Sequence, residues 1–206
     1  MDPMTPTAVQ QQLAQQEQRK WEQDRLEWAD SHPMMALLSE CLTLSPLISQ
    51  RFDTASTDGR HLYFSPDYSA SLTNESRRFL HAHLIWHCMA GHLSAPLVAH
   101  RHRWHLACDH EVNALLLALD FPLPSNALLF PVCVGRSALD VYQWLEGHPD
   151  TSLESTIDVH PAALWSHLPG TAPDERVLAL WRRRAHMAAR ETGTLPESVA
   201  KFCEAR

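Results

Sequence analysis

Residues 7–30 set isolated apolar positions (Val9, Leu13, Trp21, Leu26, Trp28) among Gln, Glu and Arg. This pattern predicts a helix with a thin apolar stripe, one that docks on another surface and forms no core of its own. His32-Pro33 breaks it, and Met34 to Ile48 reads as a second, more buried helix, interrupted near Ser45-Pro46. The period then changes. Residues 52–56 and 61–64 are short β-prone segments around Thr57-Asp58-Gly59-Arg60, whose Asp-Gly signals a hairpin, and Ser65-Pro66 ends the second strand. That hairpin is either an ordinary cover or one whose edge strand offers an extended peptide a place to pair.

The rest of the pattern is helical. Thr73 or Asn74 can cap a helix that runs through Arg77, Phe79, Leu80, His83, Leu84 and His87 to about Gly91, a residue suited to the left-handed C-terminal position. Pro96 follows. A further helix spans roughly 101–119, with Trp104, Ala107, Cys108, Val112, Leu115, Leu116 and Leu119 on its apolar side. Phe121 to Gly135 is a Pro-containing apolar loop, Ser137 to Glu146 a short helix, and Gly147 to Asp158 a polar connector. Asp174 to Thr192 is a helix dense in arginine, with Arg182-Arg183-Arg184 on a solvated face, and Pro196 to Ala205 closes with a short amphipathic helix. The fold class is mostly α, α+β, with one small β-hairpin or sheet. Residues 1–50 read as an N-terminal helical segment and 51–206 as the domain proper.

Composition narrows the function. A net charge of −7 with pI near 6.0 argues against a partner that is nucleic acid or membrane surface. The five cysteines are odd in number, widely spaced and without a CxxC pair, which suits a reducing compartment. The N-terminus lacks the apolar core of a signal peptide, and no run approaches the ~18 apolar residues of a membrane span. The expected location is the cytoplasm.

The chemistry concentrates in one stretch. Of 14 histidines, 8 fall within residues 81–110. His83 and His87 are four apart, so a helix presents both imidazoles on one face, able to grip one metal ion, with zinc the expected cofactor. Two residues compete to be the third ligand. His92 lies about 140° round an ideal helix from His87 and converges only if the chain turns at Gly91. Asp109 offers a carboxylate, which also suits zinc. Binding by both would close the site, as in a structural metal. Asn113, four after Asp109, fits a supporting hydrogen bond behind the ligands. His81, His110 and Glu111 lie near by but off the ligand faces, so none is a persuasive proton acceptor. Cys88 and Cys108 read as small core residues, and the tryptophans as packing.

The order of segments resembles the putative metallopeptidase domain of bacterial proteins that carry a von Willebrand factor A-like domain. The matching pieces are TDGRHLYFSP (57–66), HLIWHCMAGH (83–92), WHLACDHEVN (104–113), SALDVYQWL (137–145) and GTLPE (193–197). The resemblance implies a zincin-like fold, a small sheet beside a metal-binding helix of the form HExxHxxxxH, followed by WxxAxDxxxN. The second motif favours Asp109 as third ligand. It further implies a peptide or protein substrate and an AAA-type ATPase partner. Two departures stand out. Leu84 occupies the position of the family's catalytic glutamate, which in a zinc hydrolase takes the proton from the attacking water. Losing such a base costs roughly 10²–10⁴ in rate. No DxSxS motif follows, so the von Willebrand-type domain is expected to be absent or supplied by another chain. The expectations are therefore a metallopeptidase with impaired hydrolysis, a metal-binding pseudoenzyme serving as an interaction module, or a metal-free helical scaffold.

Overall fold

The structure, a computed structural model, describes residues 6–94, 98–148, 154–166, 168, 174–191 and 195–204. Pro96, residues 149–153 of the connector, Thr192, Ala205 and the Gly193-Thr194 half of GTLPE lie outside them. The described helices are α1 (Ala8–Ser31), α2 (Pro33–Ser39), α3 (Pro66–Ser71), α4 (Asn74–Met89), α5 (Arg101–Ala118), α6 (Ala138–Glu146), α7 (Glu175–Glu191) and α8 (Glu197–Glu204). Strands β1 (Thr43–Pro46), β2 (Ala55–Thr57) and β3 (His61–Phe64) form a sheet of order β1-β3-β2. The chain is thus mostly α, α+β with a small sheet, as its pattern predicts. No helix among the described residues is long and apolar enough to cross a membrane.

One expected helix is divided. The apolar run from Met34 stops being helical at Ser39, and Thr43–Pro46 becomes β1, parallel to β3 in the register Thr43↔His61 to Pro46↔Phe64. Pairing with β3 overrides the helical spacing of its apolar residues, and Pro46 falls at the strand end, where a missing N–H does least harm. The hairpin partner is also shorter than the pattern suggests. Only Ala55–Thr57 pairs with β3, while Phe52 closes an isolated bridge with Ser49.

α1 is fastened to this frame by its tryptophans and one ion pair. A capping box between Thr7 and Gln10 starts the helix. Trp21 is fully buried, stacks on Phe64 with ring centroids 4.8 Å apart, and donates its indole N–H to Ser69 Oγ at 2.9 Å. Ser69 in turn donates to Glu17 Oε2 at 2.8 Å, which leaves no buried polar atom of this group unpaired. Further along, Arg77 of α4 grips both carboxylate oxygens of Asp24, at 2.8 and 3.0 Å. Burial raises the Asp24 carboxyl above its usual range, and the paired Arg77 and Arg78 draw it back down.

α4 is the central element. Thr73 caps it by accepting from Ser76 N, and every residue from Phe79 to Met89 is buried. Its end is a Schellman turn: Gly91 takes φ +76°, and His92 N–H reaches back to His87 O at 2.9 Å. Gly59, at the hairpin turn with φ +81°, is needed for another reason. A Cβ there would lie 2.6 Å from Leu93 Cδ1 and Val177 Cγ1, so any side chain would push α7 away.

The outer edge of β2 is covered by the chain itself. Val159 N–H donates to Ala55 O at 2.9 Å, Ser56 Oγ to Val159 O at 2.6 Å, and Thr54 Oγ1 to Ile157 O at 2.9 Å. The edge expected to receive a peptide therefore already holds residues 157–159. This strap carries Asp158 into the interior.

Asp24→Ala leaves Arg77 buried without its carboxylate, which destabilises by about 3–5 kcal/mol in typical buried pairs. Urea unfolding should show the corresponding drop in midpoint. A midpoint unchanged from wild type would mean α1 contributes little to the core.

Candidate metal centre

Helical spacing assembles most of the centre. α4 offers His83 and His87 on one face, and α5 opposes them with His105, Asp109 and Asn113, each four residues from the next. The strap adds Asp158. Among the described residues, one ligand atom each from His83, His87, Asp109 and Asp158 lies within 4.8 Å of all the others, and all four residues are buried. The two imidazole Nε2 atoms are 2.9 Å apart. Asp109 Oδ1 is 3.4 Å from His87 Nε2, and Asp158 Oδ2 is 3.8–3.9 Å from both imidazole Nε2 atoms.

Hydrogen bonds behind the group decide where each ring proton sits. Asn113 Nδ2 donates to Leu128 O at 2.8 Å, so its Oδ1 faces His83 Nδ1, also at 2.8 Å, and must accept. His83 then carries its proton on Nδ1 and presents a lone pair at Nε2. A second chain fixes His87. Glu111 Oε2 lies 3.0 Å from His92 Nε2, and His92 Nδ1 lies 3.1 Å from His87 Nδ1. A carboxylate accepts, so His92 carries a proton on Nε2, and the neutral ring then accepts at Nδ1 from His87. That leaves His87 Nε2 unprotonated as well.

Electrostatics point the same way. Burial and the neighbouring His83 push His87 down to about 4, against the pull of Asp109 and Asp158. Burial opposes ionisation of Asp109, yet His105 foremost, then His87 and His83, hold its carboxyl well below the usual range. His105 Nε2 contacts Asp158 Oδ1 at 2.7 Å and Asp109 Oδ1 at 3.2 Å. Burial lowers His105, but these two acids outweigh it and raise the imidazole to about 10.

These residues fit a divalent cation. Two lone pairs face each other at 2.9 Å, and Asp109 Oδ1 and Asp158 Oδ2 are buried without a hydrogen bond. Such a set is stable only with positive charge among its members. Imidazole plus carboxylate is also a donor set that zinc and its neighbours accept.

The structure brings together three of the expected ligands, His83, His87 and Asp109, and places Asn113 behind His83. His92 is turned back by Gly91 as its convergence required, but it meets the far nitrogen of His87 and stands outside the four-residue group. Leu84 is fully buried in the core. Glu111 is engaged by His92, His110 Nδ1 accepts from Phe130 N at 3.0 Å, and His81 packs between Trp21 and Trp28. Cys88 lies 3.7 Å from Thr57 Oγ1 in the core, and Cys108 sits in the α5–α6 cluster.

Two members were not legible. Asp158 belongs to a connector whose polarity reads as solvent-facing; its only mark is the Asp-x-His spacing with His160 just before Pro161. His105 stands one helical turn before Asp109, a spacing that could have drawn it in.

A family profile described as a putative metallopeptidase domain matches residues 15–145. No curated protein and no solved structure matches the chain. The matched span contains His83, His87, His105, Asp109 and Asn113, while Asp158 lies beyond it.

Long-range ¹⁵N–¹H correlation spectra of chelator-treated protein at neutral pH should show His83 protonated on Nδ1 and His92 on Nε2. Asn113→Leu should remove the preference at His83 alone. The opposite tautomer at His92 would break the assignment of the His87 lone pair.

Proposed function

The chain belongs to the putative metallopeptidase domain family, and from that premise we propose that it is a non-hydrolysing zinc-binding member, a pseudoenzyme that keeps the metal and serves as an interaction module. One observation carries the reading: the four donors His83, His87, Asp109 and Asp158 are all buried and their ligand atoms lie within 4.8 Å of one another. Four protein donors match a structural zinc site, whereas a catalytic one keeps a position open. Zinc held this way would supply folding free energy. Within the chain, Asn113 orients His83, the Glu111–His92 pair orients His87, and His105 holds Asp158 and Asp109 towards the group.

The family's usual proton acceptor is missing from this arrangement. Position 84 is leucine, Glu111 is engaged by His92, and Asp158 belongs to the donor set. A second reading, an active peptidase, is favoured by one feature: a cavity of about 520 Å³ reaches His105, Asp158 and His160 from outside. There Asp158 would have to leave the donor set and act as base.

Elemental mass spectrometry should find near one equivalent of zinc, lost in His83→Ala/His87→Ala. Zinc a thousandfold above its Kd stabilises by about 4 kcal/mol, so a chelator should lower the thermal midpoint of wild type and leave that of the double variant unmoved. Reproducible hydrolysis of a protein substrate, abolished by His87→Ala, would establish the second reading instead.

Asn113→Leu should weaken zinc about 10–100-fold in competition with a chromophoric chelator, the usual effect of removing a hydrogen bond behind a ligand. An unchanged affinity would mean that His83 is oriented by packing alone.

A further inference from the structure

We propose that the cavity at the N-terminus of α5 binds a carboxylate attached to an apolar group, the C-terminal residue of a peptide or a small organic acid. The argument begins with hydrogen bonds that lack an acceptor. His160 Nδ1 accepts from Ala162 N–H at 3.1 Å, so the ring proton sits on Nε2, which is buried with no partner. The Trp104 indole N–H is likewise buried with no acceptor. Both residues line this cavity, and they are only 6% and 9% exposed. Folded proteins leave very few buried N–H groups unpaired, and two along one cavity call for a ligand that accepts.

The surrounding charge selects an anion. No side chain caps α5, and its first turn contains no acid, so the positive end of a helix of 18 residues is uncompensated. Arg101 and His102 of that turn line the cavity, and Arg101 has no ion-pair partner among the described residues. The acid in the lining is Asp158, whose Oδ1 faces His105 at 2.7 Å and whose Oδ2 points to the His83–His87 pair. An incoming carboxylate therefore meets donors, not that aspartate.

Size and lining favour an organic acid over an inorganic ion. About 520 Å³ is in the range of small-molecule pockets, and Trp104, Val159, Ala162 and Ala163 supply apolar wall beside the donors.

The test uses N-acetylphenylalanine, its amide, 3-phenylpropionate and inorganic phosphate, titrated against zinc-loaded and chelator-treated protein by calorimetry and by ¹⁵N spectra of the indole and imidazole groups. N-acetylphenylalanine should bind saturably in both samples, shift the Trp104 indole and His160 ring signals, and exceed the amide at least tenfold. Stronger binding than 3-phenylpropionate identifies a peptide terminus; the reverse identifies a small acid. Arg101→Gln, an exposed change that leaves the core intact, should weaken binding at least tenfold with unchanged zinc content, and His160→Phe should do the same. Equal binding of acid and amide, equal binding of phosphate, no binding at all, or an unaffected Arg101→Gln variant would overturn the proposal. Binding confined to the zinc-loaded sample would also overturn it, by making the metal the receptor. Protein that takes up no zinc and yet binds the carboxylate would instead sink the metal reading and leave this site standing.

Discussion

Two imidazole nitrogens held 2.9 Å apart in a dry interior, each presenting a lone pair, set the terms for the rest of this molecule. Neither can be left so without compensation, since burying polar atoms without partners is costly. The architecture supplies the surroundings that make the pair possible. α4 is buried from Phe79 to Met89, so the pair cannot turn to water. α5 is packed alongside with a carboxylate and an amide at matching spacing. The small sheet serves as a shelf on which a strap is laid and from which Asp158 points inward. Even α1 contributes, because Trp21 and Trp28 seal the same helix from the other side.

Much of this arrangement can be read from the sequence where the signal is local. The i, i+4 spacing of His83 and His87, the position of Asn113 one turn after Asp109, the Asp-Gly hairpin and the left-handed Gly91 are all properties of short windows, and geometry follows from them directly. What escapes is what depends on distant partners. Thr43–Pro46 reads as helix by period and is a strand only because β3 lies beside it. Asp158 reads as loop polarity and becomes a buried donor only because β2 has a free edge. His92 is the instructive middle case: the turn that brings it back was legible, but which nitrogen of His87 it would meet was not.

The departure at position 84 agrees with the rest of the site. Leu84 is packed in the core, and the acids near the histidines each have another engagement: Glu111 with His92, Asp109 and Asp158 with His105. A protein that had merely lost its base would be expected to retain an open, solvated ligand position. Here the residues around the histidines close in instead: His83, His87, Asp109 and Asp158 are all buried.

The strap also determines the order in which the centre can come together. Ser56 and Val159 are separated by 103 residues, whereas His83 and Asn113 are separated by 30. Contacts between near neighbours in the chain close early, and distant ones wait for the entropy of a long loop to be overcome. The histidines and the α5 residues can therefore meet while the later part of the chain is still unstructured, and Asp158 arrives last. Completion of the donor set thus reports that the chain has folded from β2 to the strap at residues 157–159.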